Sequence, residues 1–230
     1  AIAITERLIE LNEKQKLALL QQLLSPSGGS FKKLKLKGMA FVNQRSLDST
    51  TPSTYSFRYI SLSDVQDGRI ASHLERHVFS SAPSRAQRKV VSGDILMSTV
   101  RPNLLGFARV GDADADCIAS TGFAVLTTKP EFDRDYLYHY LYSEHIIGQL
   151  NALVVGSNYP AINPSDVESL AVYCPPFDSQ KKIGKILNNC DARRDGLHNQ
   201  RRLLIAEKDA LIQQLLTGRR RVKLTSEGAR

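Results

Sequence analysis

A ten-residue sequence near the start of the chain recurs near its end. Residues 16–25 read KLALLQQLLS and residues 208–217 read KDALIQQLLT, which gives seven identities in ten positions at an offset of 192. An internal repeat indicates a tandem architecture, here a globular region followed by a helix. The chain would then hold one globule flanked by two equivalent helix ends. Two helices rich in Leu and Gln can also match by chance, and the sequence alone leaves that alternative open.

Both copies lie in segments with the periodicity of an amphipathic helix. Residues 4–24 predict a first helix, which Ser25, Pro26 and Gly28 end. Residues 183–216 predict a second helix of ~30 residues, or about 45 Å, with Gly218 placed to stop it and Gly196 able to interrupt it near one end. The first helix has two apolar rows: a first row of Ile4, Leu8, Leu11 and Ala18, and a second row of Ile9, Leu17, Leu20 and Leu24. The second helix has one apolar stripe of Leu187, Cys190, Leu197, Leu204, Leu211 and Leu215. In that helix the heptad positions that a leucine zipper would fill with leucine also hold Arg194, Arg201 and Lys208.

Between the helices, short apolar runs separated by turn residues predict strands at residues 59–62, 94–100, 106–110, 122–127 and 169–173. Turns are marked at Asp67-Gly68, at residues 92–94 and at Asn163-Pro164. One shorter helix is expected from residue 134 to about residue 150. The fold class is therefore α+β, a globule with a small mixed or antiparallel sheet flanked by two long amphipathic helices that form a coiled-coil-like spacer. The expected boundaries are 1–25 for the first spacer helix, 26–180 for the globule, 181–218 for the second helix and 219–230 for a basic tail.

The charge of the chain favours a polyanionic partner. A net charge of +8 attracts polyanions, so nucleic acid is the first candidate partner and an acidic protein or membrane surface is the second. The three cysteines form no CxxC pair, so neither a disulfide framework nor a zinc site is indicated, and a reducing cytoplasm fits. The longest apolar runs are far below the ~20 residues that span a bilayer, so no membrane association is expected. The first residue is Ala1 within a helical pattern, which indicates a trimmed product or a piece of a longer polypeptide.

The sequence contains none of the motifs that would mark a catalytic site. There is no phosphate-binding loop, no GxGxxG after a strand and no HExxH. The pair His73 and His77 and the acidic residues around Asp114 are more typical of solvated surface than of metal sites. Cys174-Pro175-Pro176-Phe177 is similar to the base-holding loop of amino-methyltransferases, but cysteine is a poor acceptor there and the double proline predicts a stiff exit from a strand into a helix. We therefore expect no catalytic residue, no metal and no cofactor.

Four segments together resemble the specificity subunit of type I restriction-modification systems. They read YISLSDVQDGRI at residues 59–70, GDILMSTVRPNLLGFARV at 93–110, CPPFDSQKKIGKILNNCD at 174–191 and ALIQQLLTGRRRV at 210–222. The third segment, leading through the long helix into the Leu-Leu-Thr-Gly of the fourth, is the most specific element. Ser179 departs from the family, which usually has Glu there.

The resemblance implies that the globule is a target recognition domain and that the helices are spacers. Full-length members carry two such domains, each of which reads half of a split DNA site, while separate methyltransferase subunits bind S-adenosylmethionine and a restriction subunit consumes ATP. The implied partners are double-stranded DNA and these subunits, and a chain with one domain can restore the twofold by forming a homodimer through its helices. A non-catalytic module that dimerises through its helices and binds another protein remains an alternative.

Bases are read mainly by Arg, Asn and Gln on loops that enter a groove. We expect base contacts from the loop with Ser98, Thr99, Arg101 and Asn103, from the loop with Ser157, Asn158 and Tyr159, and from the long polar segment 43–58, which includes Arg58. Phosphate contacts would come from Lys32, Lys33, Lys35 and Lys37, expected to share one face of a strand, and from Arg85, Arg88 and Lys89. A polar hairpin, a mobile loop or a solvated lysine-rich edge strand explains each of these segments equally well.

Overall fold

The computed structural model describes residues 1–26, 31–154 and 160–220. Its helices are α1 (Ile2–Leu24), α2 (Leu36–Met39), α3 (Arg134–Tyr140), α4 (Glu144–Val154), α5 (Pro164–Ser169) and α6 (Phe177–Leu216). Its strands are β1 (Lys32–Lys35), β2 (Ala40–Val42), β3 (Ser56–Ile60), β4 (Val65–Gln66), β5 (Arg69–Ile70), β6 (Arg76–Val78), β7 (Ala86–Lys89), β8 (Ile95–Ser98), β9 (Phe107–Arg109), β10 (Ile118–Ser120), β11 (Phe123–Thr128) and β12 (Ala171–Cys174). The predicted α+β class, with small sheets and two long terminal helices, is confirmed.

The chain divides into two units, one formed by Ala1–Ala18 and Leu187–Arg230 and one formed by Leu19–Ile186. We call the first the helical unit and the second the globular unit. Both α1 and α6 contribute residues to each of them.

Two four-stranded sheets build the globular unit. The mixed sheet has the order β6-β3-β10-β7, with β3 and β10 parallel, and the antiparallel sheet has the order β2-β11-β8-β9. A core cluster that includes Ile60 and Ala119 from the mixed sheet and Leu96, Phe123 and Val125 from the antiparallel sheet joins the two. On the opposite face of β3, Phe57 and Tyr59 belong to a second cluster, because successive strand residues point to opposite faces. Both faces of the mixed sheet are therefore buried near its centre.

Asp67 and Gly68 form the two-residue turn that the sequence predicts. Both have positive φ, 51° and 78°, and they join β4 to β5 in an antiparallel hairpin. That conformation matches the type I′ turn, for which Asp-Gly is a preferred pair. By contrast, Asn163-Pro164 begins a helix, since Asn163 is the N-cap of α5 and forms a capping box with Asp166.

The predicted helix over residues 134–150 is wrong in one respect, because the structure has two helices there. The backbone N–H of Ser143 donates to Tyr140 O, and the Ser143 hydroxyl accepts from the N–H of Ile146 at 3.3 Å. Ser143 therefore caps α4 and separates it from α3. A serine inside a helical pattern carries this capping signal, but the apolar periodicity on either side of it conceals the break.

Helix α6 is longer than predicted and Gly196 does not interrupt it. It spans 40 residues, or about 60 Å at 1.5 Å per residue. It begins directly after Pro175-Pro176, as expected of a stiff exit from β12. At its end Gly218 has φ 68°, and its N–H donates to Leu215 O, which satisfies one carbonyl of the last turn.

In the helical unit, α1 and α6 pack antiparallel through polar contacts. Asn12 Nδ2 donates to Cys190 O at 3.0 Å, and Arg201 Nε donates to Glu6 Oε1 at 2.8 Å. The Lys16 ammonium lies 2.5 Å from Asp191 Oδ1, and both side chains are largely buried. The two terminal helices therefore lie side by side within this unit and run in opposite directions.

The apolar rows of the two helices differ in burial. Ile4, Leu8 and Leu11 of the first row of α1 are exposed. In the second row Ile9, Leu20 and Leu24 are buried, and Leu17 is exposed. The α6 stripe is buried at Leu187 and Cys190 and becomes progressively more exposed toward Leu215. Part of the apolar surface predicted for the helices is thus left on the outside of the chain.

Candidate DNA interface

The segment that follows β8 is the best-defined of the candidate DNA-reading loops. Ser98 and Thr99, at its start, are both buried. The Ser98 hydroxyl donates to Val100 O at 2.7 Å, and the Thr99 hydroxyl donates to Gly122 O at 2.9 Å. Their hydroxyl groups are therefore used within the protein and hold the base of the loop.

The rest of this loop has a rigid and strained backbone. Arg101 and Leu105 both have left-handed φ, 48° and 53°, and they flank a 3-10 turn formed by Pro102–Leu104. A non-glycine residue in this region costs of order 1 kcal/mol or more and persists only where its surroundings fix it. Two backbone hydrogen bonds around the isolated bridge between Val100 and Ala161 fix the first part of the loop, from Arg101 N–H to Pro160 O and from Ile162 N–H to Thr99 O.

This geometry places Arg101, Asn103 and Leu104 on the outside while Pro102 is buried under them. We call residues 98–106 the reading loop. It forms one wall of a cleft of about 610 Å³, and the other wall includes Gln66 and Asp67 from the β4–β5 hairpin. The exposed Arg101 guanidinium, the Gln66 amide and the Asp67 carboxylate thus lie around one opening, and such groups distinguish base edges by hydrogen bonding.

The lysines near the start of the globular unit do not share one face, as the sequence had led us to expect. Lys32 and Lys33 are consecutive in β1 and point to opposite faces, so only Lys33 and Lys35 lie on the same side. Lys37 lies in α2, beyond the strand. The Lys33 ammonium is 5.9 Å from the ring centre of Tyr173, its cross-strand neighbour.

The remaining basic candidates divide into engaged and exposed side chains. Arg58 donates to Ala113 O and lies 3.6 Å from Asp114 Oδ1, and Arg88 donates to the Ser46 hydroxyl at 3.1 Å. Burial lowers the pKa of Arg88. Arg85 is exposed and Lys89 is half-buried. Arg58 and Arg88 therefore have structural partners within the globular unit.

Ser157, Asn158 and Tyr159 lie outside the described residues, and so does the tail beyond residue 220.

Arg45 has a role that the sequence analysis did not identify. Its guanidinium donates to both oxygens of Asp94, at 3.0 and 2.8 Å, and to the Thr127 hydroxyl at 2.9 Å. Asp94 is buried and also accepts from the N–H of Val91. Together with Asn43, whose side chain accepts from the N–H of Val125, this network fixes the first part of the polar segment 43–58 against the antiparallel sheet. The available signal was an aspartate directly before an apolar strand, since a carboxylate that becomes buried there needs a partner.

Gln180 connects the strand exit to the start of α3. Its amide donates to Pro175 O at 2.9 Å and to Cys174 Sγ at 3.2 Å, and its oxygen accepts from the N–H of Asp133 at 2.9 Å. Burial raises the pKa of Cys174 to about 11, so this thiol is neutral at physiological pH. The Cys-Pro-Pro-Phe segment is therefore part of a packed connection, consistent with the structural interpretation of its prolines.

The residues that the structure describes include no group of three or more His, Cys, Asp or Glu side chains positioned to hold a metal ion. His77 lies on β6, where its ring packs against Phe57 and Tyr59 and faces Glu75. It is therefore not on a solvated surface shared with His73, which the sequence had led us to expect. Within the same described ranges, no helix is both long and apolar enough to cross a bilayer.

The reading loop and most of α6 lie in a part of the chain that is similar to a known protein family. The sequence pattern of the type I restriction modification DNA specificity domain matches residues 30–207. The chain belongs to this family. Arg101 and the reading loop, Gln180 and most of α6 all fall within the matched region of the specificity domain.

Individual relatives support the assignment. The chain is 26% identical over 136 residues to the type I restriction enzyme MjaVIII specificity subunit of Methanocaldococcus jannaschii, an alignment that covers 57% of this chain and 32% of that protein. A putative type I restriction enzyme MjaX specificity subunit of the same organism is 28% identical over 139 residues, covering 59% and 31%. The chain thus spans about a third of the length of these curated relatives.

Solved structures extend the likeness to the fold. The HsdS subunit from Thermoanaerobacter tengcongensis is 29% identical with a TM-score of 0.64, over 83% of this chain and 48% of that one. A chain from a type I R-M system, solved to explain complex assembly and conformational transition, is 28% identical with a TM-score of 0.65, over 89% and 52%. The S subunit from M. genitalium, at 15% identity and a TM-score of 0.62, shares the fold of the specificity domain.

Proposed function

We propose that this chain reads one half of a bipartite DNA sequence for a type I restriction-modification complex and performs no catalysis itself. The observation that carries the proposal is the reading loop, which holds Arg101 and Asn103 exposed on a backbone fixed at both ends. A loop backbone that is ordered before binding loses little conformational entropy on binding, which favours specific contacts. Arg and Asn suit guanine and adenine edges respectively.

The proposed contacts divide into base-reading and phosphate-binding groups. Arg101 and Asn103 read base edges, and Ser98 and Thr99 support them from below. Phosphates are bound by Lys32, Lys33, Lys35, Arg85 and Lys89, with Arg88 contributing where its structural partner allows. Arg58, in the polar segment 43–58, is proposed to contact bases. Ser157, Asn158 and Tyr159 are proposed to belong to a second reading loop.

We further propose that the other half-site is read by a second globule of the same kind. The internal repeat supports this, because Leu20 and Leu24 of the first copy are 8% and 2% exposed, whereas their equivalents Ile212 and Leu216 are 45% and 82% exposed. Ile212 and Leu216 of the C-terminal repeat are therefore left exposed, whereas Leu20 and Leu24 of the N-terminal repeat are covered by the rest of the chain. A second copy of this chain, or a second domain of the same kind, is proposed to cover these exposed residues.

The distance between two such globules would be set by α6. A helix of about 60 Å is longer than one turn of B-DNA (~34 to 36 Å), so the two halves of the site would be separated by unread base pairs. Inserting four residues near Gly218 is expected to lengthen the unread spacer by about one to two base pairs, since four helical residues add about 6 Å. Mapping of the modified sequence measures the spacer, and an unchanged spacer would contradict the helix as a ruler.

The other partners proposed are methyltransferase subunits, which would dock on the exposed row Ile4, Leu8 and Leu11 of α1 and bind S-adenosylmethionine, and a restriction subunit that consumes ATP. This chain itself is proposed to need no cofactor and to act in the cytoplasm, where the DNA and these subunits meet. A row of exposed apolar side chains is typical of a surface that another protein covers.

Selection from a random duplex library tests the proposed function. The chain is mixed with its methyltransferase subunits, and bound duplexes are sequenced after several rounds at physiological salt. We expect one interrupted motif, bound with an affinity that falls steeply as salt increases, because phosphate contacts release counterions. Recovery of sequences without a motif would refute sequence recognition, and binding that salt does not change would point to a protein partner.

A further inference from the structure

Leu104 is a large apolar side chain held in the open at the tip of the reading loop. Its side chain is 69% exposed. Single exposed leucines are ordinary on protein surfaces, but here the backbone on either side is kept in an unfavourable left-handed conformation at Arg101 and Leu105. The strain forms the turn that lifts Leu104 outward between them, so the fold maintains this exposure at a cost.

The neighbours of Leu104 restrict what it can contact. Asn103 lies on the same 3-10 turn and Arg101 directly precedes that turn, and both are exposed with Leu104. A ligand that engages the turn must therefore present hydrogen-bonding groups and an apolar group side by side. In the major groove of DNA only thymine offers such an apolar group, which is its C5-methyl. This methyl lies beside the hydrogen-bond acceptors and donors of the neighbouring bases.

We infer that Leu104 packs on the C5-methyl of a thymine next to the base pairs contacted by Arg101 and Asn103, and so specifies an A·T pair in the half-site. This inference rests on the proposed function, because it assumes that the reading loop enters the major groove. Leu104 acts by excluding water from the methyl group, and the selectivity follows from the absence of that methyl on the other three bases.

Replacing thymine by deoxyuridine removes the methyl group and leaves the hydrogen-bonding edge unchanged. The experiment uses the chain in complex with its methyltransferase subunits and the duplex that the library selection recovers. Each thymine of the selected half-site is replaced by deoxyuridine in turn. At one thymine the wild-type complex is expected to lose about fourfold in affinity, the factor for exposing one buried methyl-sized group.

Two variants and a control assign that loss to Leu104. Leu104→Ala is expected to bind the thymine and deoxyuridine duplexes equally well, and Leu104→Met, which keeps an apolar side chain, is expected to keep most of the fourfold difference. Val91→Ala, at another exposed apolar residue of the globular unit, should keep all of it. Because Leu104 is exposed, the melting temperature of Leu104→Ala should match that of the wild type.

The inference is overturned if Leu104→Ala retains the fourfold difference, if no thymine of the half-site responds to deoxyuridine, or if the half-site has no thymine. It is also overturned if Leu104→Ala abolishes a sharp bend of the duplex measured by fluorescence energy transfer, since that would make Leu104 a wedge between base pairs. If the wild-type complex selects no sequence at all, the proposed function itself fails and this inference with it, whereas the preceding outcomes leave the proposed function standing.

Discussion

Thr99→Val separates the structural role of the reading loop from its role in contacting DNA. The Thr99 hydroxyl is buried and donates to Gly122 O at 2.9 Å, and the Thr99 N–H donates to the same oxygen at 2.8 Å. Valine has nearly the shape of threonine and no hydroxyl. The substitution therefore deletes one hydrogen bond and leaves the Gly122 carbonyl with its other donor.

The expected loss follows from that arrangement. A buried hydrogen bond contributes about 0.5 to 1.5 kcal/mol net, and a stranded partner adds a desolvation cost of about 1 to 3 kcal/mol. Here the carbonyl is not stranded, so we expect Thr99→Val to lower the free energy of unfolding by about 1 kcal/mol. The discrimination between the selected duplex and mismatched duplexes should fall as well, because Thr99 fixes the base of the loop that carries Arg101.

Thr128→Val is the matched control. The Thr128 hydroxyl is buried and has no hydrogen-bond partner among the residues that the structure describes. Removing an unsatisfied buried hydroxyl relieves its desolvation cost, so this variant should be as stable as the wild type or more stable. Urea unfolding monitored by circular dichroism measures both variants, with equal m-values required for the comparison. Equal changes in the two variants, or no loss in Thr99→Val, would refute the assignment of Thr99 to loop support.

Three further predictions concern other parts of the globular unit. Replacing Arg101 with Ala should relax specificity at one base pair, at a cost of about 1 to 3 kcal/mol in binding free energy. Replacing Lys33 with Ala should weaken binding to all sequences alike and reduce the slope of affinity against salt concentration by about one. Identical losses that do not depend on sequence would contradict this division. Replacing Gln180 with Ala removes three hydrogen bonds in a buried site and should lower the free energy of unfolding by about 3 kcal/mol in urea titrations, while Gln22→Ala, on an exposed position, should change it by less than about 0.5 kcal/mol. Burial raises the pKa of Cys174 from 9.0 to about 11, so the contribution of this thiol to stability is complete below pH 9.0 and is lost as the pH rises toward 11. Urea midpoints measured between pH 8 and pH 10.5 should therefore fall more in the wild type than in Cys174→Ala. Parallel curves for the two proteins would contradict the raised pKa.

The existence of the long helices could be predicted from sequence, but the way in which they pair could not. Periodicity over many residues identifies α1 and α6 reliably, because one apolar residue out of place does not cancel the pattern. The helix pair, however, buries Thr5 and Asn12 and leaves Ile4 and Leu11 exposed. The Asn12 amide finds Cys190 O on the other helix, and such a partner 178 positions away cannot be found from local periodicity.

The candidate site was partly predictable for a similar reason. The combination of a strand, a proline and the side chains of Arg101 and Asn103 identified the reading loop. Its geometry depends on Gly122 and Pro160, which are distant in sequence and supply the hydrogen-bond partners. Sequence alone could not separate a hydroxyl that faces outward from one that holds the loop, nor could it show that Lys37 lies in a helix while Lys35 ends a strand.

The central claim is that this chain determines which DNA sequence the complex modifies. The most direct test maps modified bases across the genome of a host that carries the matching methyltransferase subunits, with and without this chain. We expect modified bases to appear within one interrupted motif only when the chain is present, and that motif to become degenerate at one base pair when Arg101 is replaced by Ala. A modification pattern that is the same with and without the chain, or one with no common motif, would contradict the claim.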